Sequence, residues 1–116
     1  MDFSVKIIRE KINQEEFDEI AKNGFGEMVK IVVDIERKII VLGGELHADE
    51  ENILIEDGSR PVDLWGANIY VNKLKEERLQ FTALINIRPA KGNRSMEISD
   101  PDIKEKITQI VNDLIE

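Results

Sequence analysis

Residues 28–42 read MVKIVVDIERKIIVL. β-Branched residues dominate two runs, 28–35 and 38–42, with only Glu36-Arg37 between them. Two such runs so close together are expected to pair as an antiparallel hairpin. Along the first run Val29, Ile31, Val33 and Ile35 share one face, and Met28, Lys30, Val32 and Asp34 the other. The turn contains neither Gly nor Asn, which leaves its type open. Gly43-Gly44 then loosens the second strand or makes a bulge.

Toward the N-terminus, residues 5–8 read as an opening strand. A helix follows. Asn13 is placed to cap it, with Glu16 three residues on, and Ile12 and Phe17 can close a hydrophobic staple. Phe17, Ile20 and Ala21 form its apolar face, and Asn23-Gly24 ends it. Toward the C-terminus, Asp49 is expected to cap a second helix. Glu50 and Glu51 complement its dipole, Ile53 and Leu54 face inward, and Gly58 stops it.

A strand over 63–71, a charged turn, a strand over 80–88 and an irregular loop over 89–97 come next. The final helix is signalled by Ser99-Asp100-Pro101-Asp102 and by Ile103, Ile107, Ile110, Val111 and Leu114 at helical spacing. The order β-α-β-β-α-β-β-α describes one α+β domain over residues 1–116, with a mostly antiparallel sheet and helices packed on one face.

On that arrangement the other sheet face is polar. Alternation puts Phe81, Ala83, Ile85 and Ile87 toward the helices, with Trp65, Ala67, Ile69 and Val71. It leaves Asp34, Asn68, Tyr70, Thr82, Asn86 and Arg88 facing out. Antiparallel sheets commonly keep one face wet, so this surface is either plain solvated sheet or a binding face.

The 116 residues are 41% hydrophobic and 34% charged, an ordinary globular balance. Cysteine is absent, which rules out disulfides, thiolate metal sites and a Cys nucleophile, and suits a reducing cytoplasm. No apolar run reaches the roughly 20 residues of a membrane helix. Met1-Asp2-Phe3-Ser4 lacks the basic and apolar regions of a secretory signal. The net charge of −8 disfavours nucleic acid, whose phosphates it repels.

Two stretches carry chemistry. In Gly43-Gly44-Glu45-Leu46-His47-Ala48-Asp49, an extended backbone projects Glu45, His47 and Asp49 from one side. His47 is the single histidine, so any histidine chemistry passes through it. Glu45 and His47 are the catalytic candidates, as an acid–base pair. One His with two acids falls short of known zinc sets, so neither a metal nor a cofactor is expected. The structural alternative has Asp49 capping the helix and His47 bonded to backbone.

The second stretch runs from Asn86 through Arg88-Pro89 and Gly92 to Asn93-Arg94-Ser95. It is cationic and free of acids. Arg88 and Arg94 suit a carboxylate or phosphate, and Gly92-Asn93 tolerate backbone angles that aim N–H groups at an anion. Asn86, Arg88, Asn93, Arg94 and Ser95 are thus the expected ligand contacts for a small anionic partner. The alternative is a surface loop whose arginines pair with acids such as Glu45.

Four segments together resemble a family of small uncharacterised bacterial and archaeal proteins, a domain of unknown function. They are Val33-Asp34-Ile35-Glu36, the GGELHADEE run over 43–51, Asp63-Leu64-Trp65-Gly66, and NIRP over 86–89 with GNRS over 92–95. The resemblance spans nearly the whole chain and implies a free-standing prokaryotic protein. It implies no activity, cofactor or catalytic residue. The expected function is a noncatalytic ligand-binding or interaction domain using the polar face and the cationic loop. The alternative is a small hydrolase or nuclease-like enzyme using Glu45, His47, Arg88 and Arg94. A homodimer through the sheet edge or polar face is a third option.

Overall fold

In the computed structural model, which describes residues 3–116, the hairpin forms the middle of a five-stranded sheet. Met1 and Asp2, part of the stretch read above for a secretory signal, lie outside the described residues. The strands are β1 (Lys6–Ile8), β2 (Met28–Asp34), β3 (Ile39–Gly44), β4 (Leu64–Tyr70) and β5 (Leu79–Gln80). They lie in the order β1-β3-β2-β4-β5, every neighbouring pair antiparallel. The helices are α1 (Gln14–Asn23), α2 (His47–Glu56) and α3 (Pro101–Leu114). The α+β class and the element order are those expected.

Local sequence explains the joints. At the hairpin, Asp34 Oδ1 accepts the N–H groups of Glu36 and Arg37, both at 2.9 Å. The Lys38 N–H returns to the Asp34 carbonyl, with Lys38 at φ 58. An Asx turn and a left-handed lysine replace the missing Gly or Asn. Beyond it, Lys30 pairs with Gly44 and Ile31 with Leu42, so Gly43 is the extra residue of a bulge. Gly43 has φ +87, and a Cβ there would strike the Ser4 carbonyl. The caps of α1 and α3 are also those expected. Asn13 accepts from Glu16 N, and Asp100, followed by Pro101, accepts from Asp102 N.

α1 and α3 cover one face of the sheet. Phe17, Ile20, Ile107, Ile110 and Val111 pack there on Ile31, Val33, Ile40, Leu42, Trp65, Ala67 and Ile69. The second helix departs from the expected one-sided packing: α2 lies on the opposite face. There Leu54 closes a separate core with Val32, Ile39, Val41 and Leu64. The reason is in the opening stretch, where Val32, Ile39 and Val41 are apolar on the face taken as polar. β3 is buried on both sides along its length, and a strand of that kind must be covered twice. The wet face is thus only the part that α2 leaves uncovered.

The strand expected over 80–88 is also shorter. β5 holds two residues, and the chain then turns through a 3-10 segment at Leu84–Asn86. Phe81 packs on the first core, but Ile85 packs on the second and Ile87 is exposed. The alternation fails because the backbone leaves the sheet plane after Gln80.

Candidate functional site

Lys30 of β2 sits directly across from Asn68 of β4, with both side chains on the second face. The first turn of α2 lies above them and supplies His47. Thr82, Ala83, Leu84 and Ile85 form one wall, with Met96 beside them, and Leu46 and Met28 form the other. Together they enclose an open cavity of about 390 Å³. Its rim is apolar and exposed: Leu46 at 52%, Leu84 at 70% and Met96 at 41%. Its polar groups are Lys30, His47, Asn68 and Thr82. An apolar wall with a few convergent polar groups is the usual make-up of a small-molecule site.

His47 is half-buried. Its Nε2 lies 2.9 Å from the Ala67 carbonyl, and since a carbonyl only accepts, Nε2 carries the proton. Burial holds the ring below its ordinary pKa of 6.5. The Ala67 bond and Asn68 work against that shift, and the Lys30 charge adds to it. His47 is therefore neutral at pH 7, with a lone pair left on Nδ1.

Asn68 is 7% exposed. Its Nδ2 donates to Gln80 Oε1 at 3.0 Å and to the Thr82 carbonyl at 3.2 Å. Its Oδ1 is buried with no donor at full hydrogen-bond distance among the described residues, and the carboxamide lies beside the His47 ring, whose charged form it favours. Leu46 is the N-cap of α2 and offers no side-chain bond. The Asp49 N–H turns back to the Leu46 carbonyl, which leaves the N–H groups of His47 and Ala48 uncapped at the cavity edge.

The stretch over 86–95 forms the structure behind one wall. Asn86 is fully buried. Its carboxamide accepts from the Gly66 N–H at 2.8 Å and donates to the Gly66 carbonyl at 2.9 Å, taking the place of a strand where β5 has ended. Asn93 Nδ2 contacts the carbonyls of Asn86, Ser95 and Glu97, and its Oδ1 accepts from Ser99 N and Oγ. Arg88 donates to the carbonyls of Ile85 and Pro61 and to Glu51 of α2 at 2.8 Å, with its guanidinium 5.8 Å from the Trp65 ring centre. Arg94 is exposed, and Ser95 Oγ bonds to the Glu97 carbonyl.

The model of a family described as "Protein of unknown function (DUF5674)" matches residues 6–114. The chain belongs to this family. No curated relative and no solved structure matches it.

In this DUF5674 chain the candidates from the GGELHADEE run part company. Because α2 begins at His47, Glu45, His47 and Asp49 do not project together from an extended strand. His47 turns into the cavity, whereas Glu45 is exposed and is not part of its lining. Asp49 does not cap the helix but lies in its first turn. Neither Arg88 nor Arg94 lines the cavity. Among the described residues, no group of three or more His, Asp or Glu side chains is placed to hold a metal ion.

Sequence reasoning missed Lys30 and Glu50. Lys30 is the single basic residue within the apolar run 28–35, which is the signal that was present. Glu50 is fully buried. Its Oε2 accepts the Gly44 N–H at 2.9 Å, and its Oε1 has no partner. Burial pushes its pKa well above the usual carboxylate range. The Gly44 bond and Lys30 oppose the shift, and Asp49 adds to it. Gly44 is needed for this fit, because a Cβ there would lie 2.7 Å from Glu50 Cγ. The second glycine of the stretch over 43–51 thus makes room for its third acid.

Proposed function

We propose that this protein is a noncatalytic small-ligand-binding domain whose site is the cavity over Lys30, His47 and Asn68. One observation carries the reading: Asn68, whose Oδ1 is buried without a donor at full hydrogen-bond distance, is part of the lining of an open apolar cavity. A buried acceptor without a donor costs about 1–3 kcal/mol, and a ligand donor offsets that cost. In this reading Asn86, Arg88 and Asn93 hold the wall in shape. Their polar atoms are engaged with the backbone and with Glu51, so they act behind the ligand. The exposed Arg94 and Ser95 take no direct part.

Methyl-labelled protein tests this by NMR against a panel of neutral fragments. Saturable shifts confined to the methyls of Leu46, Leu84, Ile85 and Met96 are expected. A panel that leaves all four unmoved removes the site.

The enzymatic alternative has one observation in its favour, a neutral His47 at a cavity wall. The groups it needs for acid–base work, Glu45 and the two arginines, do not line that cavity.

A further inference from the structure

The chemistry of the cavity narrows its ligand, and the narrowing rests on the binding reading above. Lys30 is the cation at the cavity, and it makes no ion pair among the described residues; its Nζ sits 5.2 Å from the centre of the Phe25 ring. In a chain with 24 acids and 16 bases, an unpaired ammonium on a mostly covered sheet face is conspicuous; its charge reaches Glu50, but burial holds that carboxyl toward its protonated form. The uncapped start of α2 faces the same space. Free N–H groups and the positive end of the helix dipole favour an anion there. The 10-residue helix is long enough to carry that dipole.

A helix start alone does not make a site. The second observation is Asn68, 7% exposed, lining the cavity and holding an acceptor with no donor at full hydrogen-bond distance. His47, with its proton fixed on Nε2 by Ala67, offers a second acceptor at Nδ1. The pattern is therefore a cation and helix N–H groups for an acceptor anion, then acceptors for a donor, then exposed Leu84 and Met96 for an apolar body.

We propose that the ligand is a small apolar carboxylic acid with a hydroxyl or N–H donor next to its carboxylate. The carboxylate sits between Lys30 and the first turn of α2. The donor bonds to the Asn68 carboxamide oxygen after a small tilt of that side chain, and the hydrocarbon lies on Leu84 and Met96. A single carboxylate fits better than a phosphate, because Lys30 is the one cationic side chain in the lining and a second negative charge would find no partner there.

Three matched probes test this: 2-hydroxy-4-methylpentanoate, 4-methylpentanoate and 4-methylpentane-1,2-diol. Amide and methyl spectra of the full chain are recorded as each is titrated. The hydroxy acid is expected to bind most tightly, shifting the Leu46–Ala48 amides and the Leu84 methyls. Loss of the hydroxyl or of the carboxylate is expected to weaken binding about tenfold each, the size of one charge-assisted or buried hydrogen bond. Lys30→Met is expected to abolish the preference for acid over diol while the spectrum away from the cavity is unchanged.

If the diol binds as well as the hydroxy acid, the ligand class is wrong and the cavity remains a binding site. If the hydroxy acid shifts none of these residues, the proposal fails, and the neutral-fragment panel decides separately whether the cavity binds anything. The diol comparison uses unmodified protein, so it stands even if Lys30→Met does not fold.

Discussion

Glu50 shows how one residue sets a pH dependence. Its pKa is raised in the folded protein above its ordinary 4.5. Between 4.5 and the folded value, the folded state holds a proton that the unfolded chain has released. Stability from this group is therefore greatest at low pH and is lost as pH rises through that window. His47 acts in the opposite sense. Its folded pKa is depressed, so the unfolded chain takes up the proton first, and stability is lost as pH falls below 6.5. Glu50→Gln keeps an acceptor for the Gly44 N–H and removes the titration. Urea midpoints from pH 4 to 8 for both proteins isolate the Glu50 effect as a difference. The variant is expected to gain stability relative to wild type as pH rises. A constant difference across the range means that Glu50 titrates normally.

At the scale of elements, the loop over 86–99 stands in for sheet that is absent. β5 pairs only with Asn68 and Ile69, so the Gly66 backbone is left to the Asn86 side chain. Asn93 then ties that turn to the start of α3 through Ser99. This explains why a stretch rich in Asn, Gly and Arg can be well ordered without a regular ladder, and why its polar residues resemble a binding motif. Asn93→Ala removes all the contacts of the Asn93 carboxamide at once and leaves several backbone groups unpaired. A loss of about 3 kcal/mol is expected, given roughly 1–3 kcal/mol for a buried polar group left unsatisfied. Urea denaturation measures it, and hydrogen exchange is expected to speed up over 86–99 before it does in β2 or β3. A loss below about 0.5 kcal/mol means that the loop is held by Arg88 instead.

For the whole molecule, the decisive feature is a twice-covered sheet in an acidic chain. The described residues have a Cα radius of gyration of 12.9 Å, so a net charge of −8 is confined within about one Debye length at low salt. The ion pairs among the described residues are few, and most are at the surface: Lys6–Glu16, Arg9–Asp57, Arg37–Asp57 and Lys104–Glu97 each have at least one partner more than 30% exposed. Such pairs contribute little, so self-repulsion outweighs them. The melting temperature is expected to rise between about 10 and 150 mM NaCl. A fall means that the local pairs, Arg88–Glu51 above all, dominate. No described helix is long and apolar enough to cross a membrane.

Much of the fold was legible because it depends on neighbours along the chain. Asn13 and Asp100 cap helices through backbone groups two or three residues away, and the Gly43 bulge and the hairpin are likewise local. The side of the sheet on which α2 lies was not legible from the assumed alternation, although Val32, Ile39 and Val41 carried the hint. A strand pattern shows which residues share a face but not which element covers that face. The site followed the same division. His47 was singled out as the lone histidine, but its partners Lys30 and Asn68 lie on strands far apart in sequence and meet only through the β2–β4 register. Asn86, Arg88 and Asn93 stood out by type, and only the tertiary structure shows that backbone carbonyls and Glu51 engage them. By itself the sequence determined the elements and their caps, because those bonds are short-range. The tertiary structure decided which polar groups are left without partners, because that depends on everything packed around them.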